Sequence, residues 1–216
     1  MSTSEFSYIP ESPEQSFGNN KGIFTPTDIY DLTRADKYTN YGQLELIETQ
    51  TYSSTVSEIN FNNIKQDTYH VHFMTFNNMK TAGDNQETMC LRLMVNGVVQ
   101  TSSDYQRTIQ RISSSGGLFT ESKSTGDSQV RIIYGTGTAT GESSSGYVYF
   151  YNLGDNTKYS FISTQATSMT SDPHYAGAFG NAVYDIANEV DGIQVRKNSG
   201  DYSDFTVSLY GIKEYS

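Results

Sequence analysis

The sequence predicts an all-β protein: a jelly-roll-like antiparallel β-sandwich with an extended N-terminal arm containing one short helix. Three observations carry this. The 216 residues include 17 Tyr, 11 Phe and 18 Gly but no Trp, and only 18% are charged. Tyr, Phe, Thr, Val and Ile suit a pleated, half-buried surface, whereas the Ala, Leu, Glu, Lys and Arg runs that favour helices are nearly absent. Short alternating segments recur between turn signals with no long helical pattern among them, which means a sandwich or barrel and not an α/β fold. No fixed period repeats, so propellers and β-helices are excluded. A chain of this length fits one domain, or one domain plus an arm, and buries enough surface to need no metal or disulfide staple.

The arm is expected over residues 1–41 and the sandwich over 42–216. Residues 1–21 are polar and rich in Ser, Glu, Pro, Asn and Gly. Such a segment is disordered alone and gains order by burial against a neighbouring chain. Residues 22–41 differ. Thr25 can cap a helix with Pro26 at its first position, and Ile29 and Leu32 then fall on one face with Ala35 following. This reads as a short helix over about residues 26–36. Its apolar members and their neighbours (Ile23, Phe24, Ile29, Tyr30 and Leu32) are the expected anchoring contacts of the arm.

From Leu44 onward the chain reads as strands and turns. Tyr69, Val71, Phe73 and Thr75 alternate with His70, His72, Met74 and Phe76, which predicts a strand covered on both faces. Leu91, Leu93 and Val95 alternate with Cys90, Arg92 and Met94 before Asn96-Gly97, the strongest short hairpin signal, since a type I′ turn needs positive φ twice. A second hairpin is expected over Gly146–Phe161, turning around Gly154-Asp155-Asn156. Further strands are expected near residues 44–51, 56–63, 104–112, 130–134, 190–196 and 205–213. Two stretches, Gly135–Gly146 and Thr164–Asn181, read as long loops at the rim, where partners commonly bind.

Charge and hydropathy exclude several functions. With 14 basic and 24 acidic side chains the formal charge is −10, which repels nucleic acid, and no basic patch offsets it. No stretch approaches the roughly 20 apolar residues of a membrane helix. The first residues have neither the basic region nor the apolar core of a signal peptide. The single Cys90 cannot form an internal disulfide, so either the chain is made in a reducing cytoplasm or its stability is independent of redox state. No Asn-x-Ser/Thr sequon occurs, which fits a product that is not secreted.

The search for chemistry returns little. His70 and His72 at i and i+2 on a strand point to one face, but a metal needs one or two more ligands, and His174 and Cys90 are distant in sequence. A polar strand face is the expected reading. Gly135-Thr-Gly-Thr-Ala-Thr-Gly141 lacks the dinucleotide spacing, a following helix and the Lys of a phosphate loop, so it reads as a flexible connection. No Asp-x-Asp-x-Asp loop and no Gly-x-Ser-x-Gly elbow are present. No catalytic, cofactor-binding or metal residue is therefore expected, and the protein is not expected to be an enzyme. Tyr147, Tyr149 and Tyr151 share one strand face and Val148 and Phe150 the other. A tyrosine ladder stacks on sugar rings in lectins, but more often serves as core or subunit interface. Tyr175 and Phe179, set among small residues, are possible loop contacts that either anchor in a partner pocket or fold back as a lid.

Gly22-Ile-Phe-Thr-Pro-Thr-Asp-Ile-Tyr-Asp-Leu, Tyr41-Gly-Gln-Leu-Glu-Leu-Ile, Tyr69-His-Val-His-Phe, Tyr147-Val-Tyr-Phe-Tyr-Asn-Leu-Gly and Ser208-Leu-Tyr-Gly-Ile-Lys resemble segments of small structural virion proteins of marine tailed bacteriophages, especially those infecting cyanobacteria. The resemblance spans about residues 22–216, and Leu209-Tyr-Gly-Ile212 is its most specific element. It implies a virion component, made in the host cytoplasm. The leading expectation is a capsid decoration or cement protein, or a head-fibre protein, whose arm binds other virion proteins, the major capsid protein foremost. A homo-oligomer, most simply a trimer, would cover its edge strands. The alternative is a tail or baseplate adhesin binding host surface glycan. An enzyme acting on the host envelope is a third reading, for which no residue stands out.

Overall fold

The structure is a computed structural model. It describes residues 15–16, 19–20, 24–35, 44–83, 89–116, 119–172 and 174–213. The chain divides into two units, Met1–Tyr41 and Gly42–Ser216.

The first unit holds a two-stranded ribbon, β1 (Gln15–Ser16) and β2 (Asn19–Asn20), followed by helix α1 (Pro26–Arg34). The helix starts where the sequence says it must. The Thr25 hydroxyl accepts the backbone N–H of Asp28 at 3.2 Å, and the Asp28 carboxylate accepts the backbone N–H of Thr25 at 2.8 Å. This reciprocal capping box satisfies two donors that the first turn would otherwise leave open. The Thr25 hydroxyl, which donates to the Asp28 carboxylate, and then the Thr25 backbone N–H hold the Asp28 carboxyl below its ordinary pKa. Pro26 supplies the preset first φ, and Arg34 places a positive charge in the last turn. The helix ends at Arg34, two residues short of the expected boundary; Ala35 caps it with its N–H on the carbonyl of Asp31 at 2.9 Å. Ile23 lies outside the described residues.

The second unit is a two-sheet antiparallel β-sandwich. In chain order its strands are β3 (Leu44–Tyr52), β4 (Glu58–Phe61), β5 (Val71–Thr81), β6 (Cys90–Val95), β7 (Val98–Val99), β8 (Tyr105–Ser113), β9 (Thr120–Asp127), β10 (Val130–Arg131), β11 (Ser144–Tyr151), β12 (Ser160–Met169), β13 (Tyr175–Tyr184), β14 (Gly192–Arg196) and β15 (Tyr202–Ile212). The large sheet has the order β3-β15-β5-β11-β12-β13-β8-β9. The small sheet has the order β10-β6-β14-β4, with β7 paired to β6. The chain passes repeatedly from one sheet to the other, as a jelly-roll-like sandwich requires.

The core lies between the sheets. Phe61, Leu91, Leu93, Ile193 and Val195 come from the small sheet, and Met74, Phe76, Val148, Phe150 and Leu209 from the large one; all are buried. Cys90 is buried with them and behaves as a small apolar residue. The Tyr105 hydroxyl links the layers by donating to the Gln100 carbonyl at 3.3 Å while accepting the Leu93 N–H at 2.9 Å. The Asn96-Gly97 turn has φ of 52° and 71°, the double positive φ of a type I′ hairpin between β6 and β7. The second expected turn falls between β11 and β12, where the Asp155 carboxylate accepts the Thr157 N–H at 2.9 Å.

Several expectations are corrected. Thr164–Asn181 is not a loop but most of a hairpin of two ten-residue strands, β12 and β13. Its Ser, Thr, Ala and Gly content reads as irregular, yet these small residues are needed. Ala166, Ala176 and Ala178 point inward and border Ile133, Tyr134 and Arg111, which large side chains would displace. Of the other expected loop, residues 132–143 are irregular, and the strand begins at Ser144. The strand at residues 69–76 is not covered on both faces. His72, Met74 and Phe76 are wholly buried, while Val71, Phe73 and Thr75 on its other side are half-buried. Strand β9 has no counterpart in the sequence reading, because Thr-Glu-Ser-Lys-Ser-Thr-Gly-Asp carries no large apolar residue to alternate.

Candidate functional site

Two surfaces gather the residues that the sequence singled out, one in each unit. The first is α1. Phe24, Ile29 and Tyr30 are 41%, 37% and 64% exposed, Leu32 is half-buried, and no helix residue is buried. Ile29 and Leu32 are three positions apart, so they share one face. The result is a capped amphipathic helix with no buried residue.

The second surface is the outer face of the large sheet. Antiparallel pairing in register sets the outward residues in rows that cross the strands. One row runs Leu44, Ile212, Val71, Tyr151, Phe161 and Val183, apolar on six adjacent strands. The next runs Leu46, Tyr210, Phe73 and Tyr149, then turns polar at Ser163 and Asn181. Phe73 is the hub: its ring centroid lies 4.7 Å from Tyr149, 5.9 Å from Tyr147 and 6.2 Å from Tyr210. The tilted geometry of these pairs suits the aromatic quadrupole. Tyr147 orients its hydroxyl toward Gln165 on β12, donating at 2.7 Å.

The tyrosines 147, 149 and 151 are thus on the outside of the sandwich, and Val148 and Phe150 are its core. Alternation predicted the split but not which side faced inward. Tyr175 and Phe179 belong to the same surface. They stand on strand β13, not on a loop, and are 45% and 44% exposed on its outward side. They do not fold back as a lid. At the β8–β9 end an open groove of about 650 Å³ is bordered by Phe161, Val183, Asn181, Thr108 and Lys123. This groove and the rows beside it were not foreseen, because they depend on strand order, which the sequence does not encode locally.

The histidine pair does not form a site. His70 precedes β5 and is exposed, whereas His72 is wholly buried on the inner side. Its Nε2 lies 2.8 Å from the Ile64 carbonyl, so the neutral ring carries its proton there. Burial pushes its pKa down, with that hydrogen bond opposing in part. The described residues bring no three His, Cys, Asp or Glu side chains together in a metal-binding arrangement. The buried Arg107 is a brace of the inner face: it pairs with the Asp127 carboxylate and donates to the Ser122 hydroxyl at 2.8 Å. No described helix is long and apolar enough to cross a membrane.

No protein-family description matches the chain, and no curated protein matches it.

Proposed function

We propose that the chain is a non-enzymatic structural protein of a phage virion, a capsid decoration or cement protein or a head-fibre component, tethered to capsid subunits by residues 1–41. The observation that carries this reading is α1. It has a complete capping box, Pro26 at its start and Arg34 in its last turn, yet it has no buried residue. A nine-residue helix is marginal by itself in water, since a stable isolated helix needs about 12–15 residues. A sequence that invests so much in starting the helix completes it by burying the stripe. Laying Phe24, Ile29 and Leu32 into an apolar groove of a neighbouring subunit does that. The likeness of residues 22–216 to small virion proteins of marine tailed phages supports the same reading, and the sandwich then bridges neighbours as a homo-oligomer.

Truncation tests it. Deleting residues 1–41 is expected to abolish binding to purified particles, scored by immunogold labelling, while residues 42–216 still melt cooperatively. Continued decoration by the truncated chain refutes the tether. The second reading, a tail or baseplate adhesin for host surface glycan, is favoured by one observation, the outward Tyr147, Tyr149 and Tyr151. It predicts label confined to the tail and loop-independent, tyrosine-dependent binding on a glycan array.

A further inference from the structure

We infer that the outer face of the large sheet is a self-association surface, on which a second copy of the chain packs face to face about a two-fold axis. The first argument is charge. The chain has a formal charge of −10, yet on seven neighbouring strands, β3 through β8 in sheet order, the outward rows that run from Leu44 to Gln106 and from Thr51 to Ile112 contain no Asp, Glu, Lys or Arg. Charges return only at the margins. Glu121 and Lys123 stand on the edge strand β9, and Lys80 and Asp204 lie past the register shifts at one end of β5 and β15. A sheet face built for water in an acidic protein intersperses charges. Two copies that repel each other elsewhere can approach through a surface without carboxylates. A surface lacking charge of either sign is also complementary to itself, which is the condition for an isologous two-fold interface.

Area and composition point the same way. Seven strands about 4.8 Å apart, with about eight residues each rising 3.3 Å, present a face of roughly 900 Å². A stable protein interface needs about 800 Å² per partner. The face is rich in aromatic rings and poor in Lys, Glu and Asp, as interface centres are. Phe161, Phe179, Tyr175 and Tyr147 are 48%, 44%, 45% and 37% exposed, large rings left open to water on a face without charge. Two sheets of the same twist pack aligned at about 30° and about 10 Å apart.

This inference gives the homo-oligomer of the proposed function its face, and it is tested in solution without particles, so its failure and the failure of particle binding are separately visible. The full chain is examined by sedimentation velocity from 1 to 100 µM (about these bounds, chosen to bracket common dimer affinities). The expected species is a dimer of two 24.1 kDa chains. Phe161→Glu, and independently Thr167→Arg at an exposed outward position, are expected to weaken the dimer at least 100-fold. Val98→Glu, on the exposed β7 of the small sheet, is expected to leave it unchanged. Circular dichroism checks that each variant is folded, and either outer-face variant suffices. A wild-type monomer at the highest concentration overturns the inference, as does a dimer indifferent to the folded outer-face variants. A trimer dissociated by them overturns the two-fold arrangement. A monomer whose tyrosine fluorescence responds to a neutral polysaccharide overturns it in favour of sugar binding by the same rings.

Discussion

His72 occupies the second position of β5, and its register alone decides its chemistry. Two residues earlier, before the strand begins, His70 meets water; at position 72 the imidazole is enclosed by core and holds one hydrogen bond, to the Ile64 carbonyl. Burial disfavours the charged ring, so its pKa falls below the ordinary value of 6.5. The folded chain then takes up a proton less readily than the unfolded chain. The contribution is fully present above pH 6.5 and is lost as pH falls below it. The urea midpoint is therefore expected to drop between about pH 7.5 and 5.5, the span over which an unfolded histidine titrates, and His72→Met is expected to flatten that dependence. The sequence located both histidines on alternating ground but placed both on one face of a strand. What it lacked was where the strand begins: Val71 is its first residue, and His70 belongs to the turn before it.

At the scale of elements, strands with large alternating side chains were legible and strands with small ones were not. β6, β11 and β15 declare themselves through Leu, Val, Phe and Tyr at every second position. The β12–β13 hairpin does not, because between Thr164 and Ala182 its inner side is Thr, Ala, Ser and Gly, chosen for room and not for propensity. Gly180 makes the point. A Cβ there would meet the Thr108 carbonyl oxygen and the Ile109 backbone on β8, neither of which can rotate aside. Gly180→Val is expected to destabilise the fold by about 1–3 kcal/mol, the range for overpacked sites, read from urea denaturation with an unchanged m-value. The start of α1, by contrast, was legible in Thr25-Pro26, since caps are local chemistry; the Asp28 carboxylate that completes the box stands three residues on and was not singled out. The arm residues proposed as anchors lie in and beside that helix, whereas Tyr175 and Phe179 were read on a loop and stand on a strand.

For the whole molecule, the sequence carried the class of fold and the division of each strand into two faces, but not the order of strands. That order is what unites Leu44 and Ile212, or Phe73, Tyr149 and Tyr210, into one surface, through pairings that span most of the chain. It also makes the two surfaces separable by experiment: removing residues 1–41 leaves every member of the core in place, because all of them lie in Gly42–Ser216. The order of the large sheet has a consequence for the ribosome. β15 is the last of the described strands, and it sits between β3, the first of the sandwich, and β5. Until it is synthesised β3 has no neighbour in the sheet, and β5 offers an open edge to any passing chain. Such distant pairing slows folding and exposes intermediates. A chain stopped before Tyr202 is expected to be insoluble when expressed, in contrast to the arm deletion, as fractionation of the lysate would reveal. The virion subunit we propose would therefore acquire its shape only after β15 has left the ribosome, so that nascent chains still lacking it stay out of assembly.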